Sequence, residues 1–280
     1  MNRESILQRY AEGERDFCDL SLPRIDLSRT MLRGAAFVES DLTHARLKRS
    51  DFSQISLNSA ILEAADLEGV NLSRSDLSMA DLRHVNLSYG ILNLASLIGA
   101  DLEAAYLVMT QLLTCDLTGA NLTHGTLLGA SCMGAKFVGS NLTDANFSRS
   151  YLYDADFREA CLRGTGFQGA LYNHQTRFPV DYDLTQSGAY LIAPGVDLSK
   201  TLLSGMYLAT VQLTGANLTE ADLQRSDLAS AHLQGANLTG ANLTGANLRG
   251  ADLTGALCDR TCFTDANLTG ATLPDGRIQH

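Results

Sequence analysis

A large apolar residue recurs at every fifth position through most of this chain. Calling that residue i, every i from Phe17 to Phe167 is Leu or Phe except Cys132, and every i from Leu198 to Leu273 is Leu or Phe except Cys258. Position i−2 is nearly always small, as at Ala35, Ala65, Ala100, Ala145, Ala216 and Ala241. Position i−1 is most often Asp or Asn, and i+2 is frequently Gly.

A period of five matches neither the 3.6 of an amphipathic helix nor the 2 of an ordinary strand. In an extended segment, i and i−2 point to one side and i−1 to the other. Each five-residue unit therefore sends one large and one small side chain inward and then turns a corner. Glycine at i+2 suits a turn with unusual dihedrals, and Asn or Asp at i−1 can bond the neighbouring backbone. The pattern predicts a closed coil with its apolar residues inside. One such coil cannot bury enough surface to stand alone, so stability has to come from stacking.

The units read A(D/N)LxG, most plainly in ANLTGANLTGANLRGADLTGA at 236–256, and resemble the pentapeptide repeat family. The resemblance implies an all-β fold, a right-handed quadrilateral parallel β-helix with four pentapeptides per coil. On that reading the chain is a single solenoid domain over 1–280. It has an N-terminal cap at 1–16, about eight coils over 17–172, a loop excursion at 173–197, about four coils over 198–275 and a tail at 276–280. The chain ends, MNRESILQRYAEGERDF and GATLPDGRIQH, resemble the HetL-like regulators among the cyanobacterial members, a class thought to act through protein contacts.

Ile6, Leu7 and Tyr10 fall at helical spacing behind Ser5, a candidate N-cap, which predicts a short helical lid over residues 3–12. The tail LPDGRIQH offers a turn and little else, so the rear end is expected to be less well capped. That leaves a monomer or a weak end-to-end dimer. Within 173–197 the beat fails. Phe178 lies one coil before Leu198, so the chain is expected to insert one residue after Tyr172, place Phe178 inside and bulge outward from Pro179.

The excess of 31 acids over 21 bases argues against direct binding of nucleic acid through phosphate contacts. The charged start contains no apolar leader, and no run reaches membrane-spanning length. Six cysteines without a CxxC pair suggest neither a zinc site nor a disulfide scaffold. A cytoplasmic protein without cofactor or metal is expected. His44, His84 and His124 share a column at intervals of two coils, roughly 10 Å, too far apart for one ion; Asp144 is placed to pair with His124. Cys132 and Cys258 point inward. Cys18, Cys161 and Cys262 point outward without an obvious activating neighbour, and a filled convex rod provides no pocket for catalysis. An enzyme is not expected.

Two binding readings follow. In the first, a protein partner docks on outward positions that have turned apolar: Tyr89, Ile91, Leu94, Tyr106, Val108, Met109, Leu113, Leu128 and Met133. They map to two adjacent faces within about three coils, and a contiguous exposed patch of this kind marks an interaction site. The excursion, with His174, Arg177, Pro179, Tyr182 and Tyr190, either covers that patch or grips the partner with it, covering being the favoured arrangement. In the second, an acidic face of Asp41, Glu63, Asp81, Asp101 and Glu103 makes the chain a decoy for DNA gyrase or another DNA-binding protein, since some members of the resembled family mimic duplex DNA. Arg83 interrupts that face. Binding by the decoy should weaken steeply with salt, and apolar binding should not.

Overall fold

The backbone hydrogen bonds reveal the height of one coil. In the computed structural model, which describes residues 1–280 apart from the side chain of Thr185, each i−1 residue forms a parallel bridge with the residue twenty positions on. Asp41↔Ile61, Ile61↔Asp81, Asp81↔Asp101 and Asp101↔Asn121 are successive steps of one such column. Four pentapeptides thus complete each turn of a parallel β-helix. The turn recurs in two compact units, Met1–Ala189 and Tyr190–His280.

The interior follows the alternation of the sequence. Positions i and i−2 are buried through the stacked turns of both units, as Leu82 with Ala80 and Leu243 with Ala241. At most corners the amide of i+3 donates to the carbonyl of i, as Ala35 does to Leu32 at 3.1 Å. Residue i+2 is left-handed throughout, whether glycine (Gly34, φ 68°) or not (Tyr89, φ 60°; Leu94, φ 62°). A hydrogen-bonded turn with positive φ at its third residue is the type II geometry, which explains the glycine preference there.

In the first unit, helix α1 (Arg3–Ala11) closes the front with Ile6 fully buried and Leu7 and Tyr10 packed on the core. Asn2 is its N-cap, where Ser5 was expected: Asn2 Oδ1 accepts from the Ser5 amide at 2.9 Å. A cap side chain serves the amides of the first turn, and Ser5 already lies inside that turn. The helix also satisfies part of the open strand edge. Arg3 donates to the carbonyls of Asp26 (2.7 Å) and Ser28 (3.2 Å), and the Tyr10 hydroxyl donates to that of Arg33 (2.9 Å). In later turns, carbonyls at these positions accept from the coil before, which the first turn lacks.

At the other end of this unit the one-residue insertion is present. Asp156 bridges to Arg177, twenty-one positions on, and Phe178 stacks on Phe157 at 5.3 Å. Two aromatic columns, Phe137–Phe157–Phe178 and Phe147–Phe167, stand edge to face. Tyr182 stacks on Phe178 at 5.7 Å and meets the edge of Phe167 at 6.0 Å.

In the second unit the tail does more than turn. Ile278 pairs antiparallel with Thr272, and Gln279 exchanges backbone bonds with Gly270 (2.7 Å) and Ala271 (2.9 Å). A left-handed Gly276 (φ 83°) permits this fold-back. The last-turn residues Cys258, Phe263, Leu268 and Leu273 remain only half-buried.

Candidate interaction surface

Outward positions are built on the same corner. The amide of i+1 donates to the side-chain oxygen of i−1, as Thr43 to Asp41 (3.0 Å), Arg83 to Asp81 (3.2 Å) and Glu103 to Asp101 (3.1 Å). Asparagines of the next turn add a second bond, as Asn121 to Asp101 at 2.9 Å. The recurrent Asp and Asn are therefore turn-bracing residues, which is why they persist whatever the rest of the face carries.

This matters for the acidic face. Asp41, Asp81 and Asp101 belong to one column and Glu63 and Glu103 to the neighbouring one. Arg83 lies among them, donating from Nε and Nη2 to the two carboxylate oxygens of Asp81 (2.8 and 2.6 Å), 3.4 Å from Glu63 and 3.9 Å from Asp101. The hydrogen bonds from Arg83 hold the Asp81 carboxyl below the usual carboxylate range, and the carboxylates in turn raise the Arg83 guanidinium. The face is an ion-pair cluster with a cation at its centre.

The apolar positions differ. Tyr89, Leu94, Tyr106 and Met109 are 61%, 55%, 54% and 54% exposed, and Leu128 is also exposed. Ile91, Val108, Leu113 and Met133 lie half-buried between them. Bridges Asn86↔Tyr106↔Thr126 and Ile91↔Gln111↔Ser131 tie their turns together, so these residues form one surface on two adjacent faces. The next face adds Met79 and Ile98, both exposed, whose i+2 and i+1 positions depart from the repeat in the same apolar way. Small residues shape this surface. The Met109 sulfur lies 2.5 Å from where a Cβ on Gly129 would stand, and the Met79 sulfur 2.6 Å from that of Gly99, so each thioether fills a notch above a glycine. Beside Tyr106 an open groove runs over Ala64 and Ala65, walled by His84 and Asn86.

The excursion does not cover this surface, contrary to expectation: five of its residues stay exposed. The physical reason is register. With Phe178 placed in the aromatic column and Tyr182 stacked on it, the loop closes the end of the first unit's core. Asn173 accepts from the amides of Asp154 and Thr176 (both 3.1 Å), Thr176 donates to the Leu152 carbonyl (2.7 Å), and Arg177 lies 3.7 Å from Asp156. His174 and Arg177 are exposed and Pro179 half-buried; Tyr190 opens the second unit, half-buried.

His124 lies 3.8 Å from Asp144, both largely exposed. Among the described residues no three His, Cys, Asp or Glu side chains come together as a metal site. Among the described residues no helix is long and apolar enough to cross a membrane.

The cysteines sort by repeat position. Burial pushes the thiols of Cys115 (i−2) and Cys132 (i) up. Desolvation also raises Cys258 (i) and Cys18 (i+1). Cys161 and Cys262 occupy i−1, where the corner amide meets the sulfur as it meets an aspartate. Both are exposed and both are lowered, Cys161 chiefly by Thr143 and Cys262 to about 7 by Thr244 and Thr264. The activating neighbour missed in the sequence is the Thr hydroxyl eighteen positions before each, at 3.4 Å and 3.3 Å.

The family model described as "Pentapeptide repeats" matches in eight copies across residues 16–49, 50–88, 95–129, 130–169, 195–229, 221–257 and 231–270. The solved structure of HetL from the cyanobacterium Nostoc sp. strain PCC 7120, a pentapeptide repeat protein involved in heterocyst differentiation regulation, is 30% identical over 100% of both chains with a TM-score of 0.33. A pentapeptide repeat protein from the Arabidopsis thaliana thylakoid lumen is 30% identical over 36% of this chain and 70% of its own, with a TM-score of 0.35. QnrB1, a plasmid-mediated fluoroquinolone resistance protein, is 18% identical over 86% of this chain and 90% of its own, with a TM-score of 0.19. No curated protein sequence matches the chain.

Proposed function

Because the chain belongs to the pentapeptide repeat family, we propose that it is a non-catalytic protein-binding scaffold of the regulatory class, folded as a right-handed quadrilateral β-helix. It engages a protein partner through the exposed apolar surface centred on Tyr106 and Met109. The observation that carries this reading is the exposure of Tyr89, Leu94, Tyr106 and Met109 on adjoining turns, whereas the same positions elsewhere carry mostly Ser, Thr, Asn, Gly or charge. Exposed apolar area of this extent is costly in water unless a partner removes it. HetL, which spans the whole chain at 30% identity, supports the regulatory class. Loop residues His174 and Arg177 form a separate polar surface that a large partner can reach. The setting proposed is cytoplasmic, in keeping with six free cysteines. The half-buried last turn supports a monomer or a weak end-to-end dimer.

The decoy reading has less support. Asp41, Asp81 and Asp101 brace turns, and Asp81 and Glu63 face Arg83, so of the five acids only Glu103 has no side-chain partner among the described residues.

The test uses wild type and Tyr106→Glu/Met109→Glu/Leu113→Glu as baits in host lysate, with matched circular dichroism. A partner held by wild type and lost by the variant supports the reading. A partner retained by that variant and released by Asp81→Asn/Asp101→Asn/Glu103→Gln moves the function to the acidic face.

A further inference from the structure

On one side of the apolar surface both bordering charges are arginines. In the i+2 column that carries Tyr89 and Met109, the preceding members are Arg29, Arg49 and Gly69. In the column that carries Leu94, the member one turn earlier is Arg74. Neither Arg49 nor Arg74 has an ion-pair or hydrogen-bond partner for its guanidinium among the described residues. Their neighbours are engaged: Arg46 with Asp26 (3.7 Å), and Lys48 with Asp66 (2.8 Å) and Glu68 (3.1 Å). Asp51, on the face of Arg74, accepts from Asn71 and from the Ser53 amide.

Arg49 is also aimed. Its Cγ lies 3.4 Å from where a Cβ on Gly69 would stand, so its stem rests in the notch of that glycine, the step between Arg49 and Tyr89. The guanidinium is carried toward the apolar surface, and Arg74 adjoins it one turn before Leu94. On the opposite side the two columns continue through Gly129 to Arg149 and through Gly134 to Asp154, and the Arg149 stem lies 3.5 Å from the Cβ position of Gly169, the step away from the surface. In a chain of formal net charge −10, two arginines without a guanidinium partner among the described residues, beside this apolar surface, form a local reversal of field.

We infer that the partner contributes an acidic amphipathic segment. Its apolar side chains lie on Tyr89, Leu94, Tyr106 and Met109, and its carboxylates sit at one end against Arg49 and Arg74. Arginine is suited to this because its planar fork takes a carboxylate through two parallel hydrogen bonds. The apolar turns and the arginine border together span about 20 Å along the coil axis, which a helical segment of about 14 residues covers. The inference rests on the proposed function and adds the chemistry and orientation of what binds.

The test is selection of displayed random peptides of about 16 residues on the full chain, followed by fluorescence anisotropy of the recovered peptides. Wild type, Arg49→Glu/Arg74→Glu and Tyr106→Glu/Met109→Glu are compared, with thermal unfolding to confirm that each is folded. Vesicles containing about 30% anionic phospholipid are the competing probe. Expected are peptides with acids clustered at one end. Their binding should weaken at least about tenfold with the arginine variant, be lost with the apolar variant, and recover on the arginine variant when their acids become lysines. Peptides lost by the apolar variant but held within about twofold by the arginine variant would overturn this inference and leave the proposed function standing. Peptides indifferent to both variants, or no recoverable peptide, would count against both. Arginine-dependent vesicle binding without peptide binding would reassign the surface to a membrane.

Discussion

Replacing Thr244 and Thr264 with valine should raise the Cys262 thiol from about 7 toward its ordinary 9.0. The two hydroxyls lie 3.3 and 3.4 Å from the sulfur, and the Thr264 amide adds a third stabilising donor. At pH 7 a thiol of pKa about 7 is about half thiolate, against about 1% for one at 9, a gain of roughly fiftyfold. Intrinsic nucleophilicity falls with pKa at a Brønsted slope of about 0.4–0.5, which over two units removes roughly six- to tenfold. Cys262 should therefore alkylate about five- to eightfold faster than an ordinary exposed thiol at pH 7, and more slowly above about pH 8. The assay is iodoacetamide labelling of the native chain from pH 5.5 to 10, with each cysteine peptide quantified by mass spectrometry. Cys161 should follow the same direction, and buried Cys115 and Cys132 should label only on unfolding. A Cys262 profile with its midpoint at or above 8.5, or one unmoved by the double valine variant, would refute the idea that position i−1 stabilises anions.

Further expectations follow from the same corner and core. Phe178→Ala removes the ring that ends an aromatic column and should cost about 2–3 kcal/mol in denaturant unfolding, whereas His174→Ala, on an exposed side chain, should cost almost nothing. Gly119 has φ 67° with nothing within 4 Å of an added Cβ, so Gly119→Ala should lose about 1 kcal/mol from backbone conformation alone. Acid should destabilise the fold: Asp26, Asp81, Asp156 and Asp252 are lowered by their hydrogen bonds. A depressed folded-state carboxyl contributes stability that is complete above its unfolded value near 4 and is lost as pH falls through the folded value. The urea midpoint should accordingly be flat from pH 6 to 5 and fall below about pH 4.

The repeat made the interior legible because it encodes two things at once, which residues face inward and how many complete a turn. Phe178 could be placed inside from its register alone, and the Asp156–Arg177 bridge agrees with the inserted residue. What escaped the sequence depends on geometry between turns. Arg3 and Tyr10 serve carbonyls more than twenty residues away, and Cys262 owes its low pKa to a hydroxyl on the turn before. From sequence alone the excursion reads as a cover or a grip, because its aromatics suit either an outer surface or the end of a column. Only the stacking of Tyr182 on Phe178 decides between them. The apolar surface was legible as a departure from the repeat's own habits, and Met79 and Ile98 extend it to a third face.

The most direct test places a photo-crosslinking amino acid at Tyr106 and, separately, at Glu103, and irradiates each in the host cell. The account predicts one discrete adduct from position 106, competed away by unlabelled wild type and absent from position 103. The same adduct from position 103 alone would contradict it and place the partner on the acidic face.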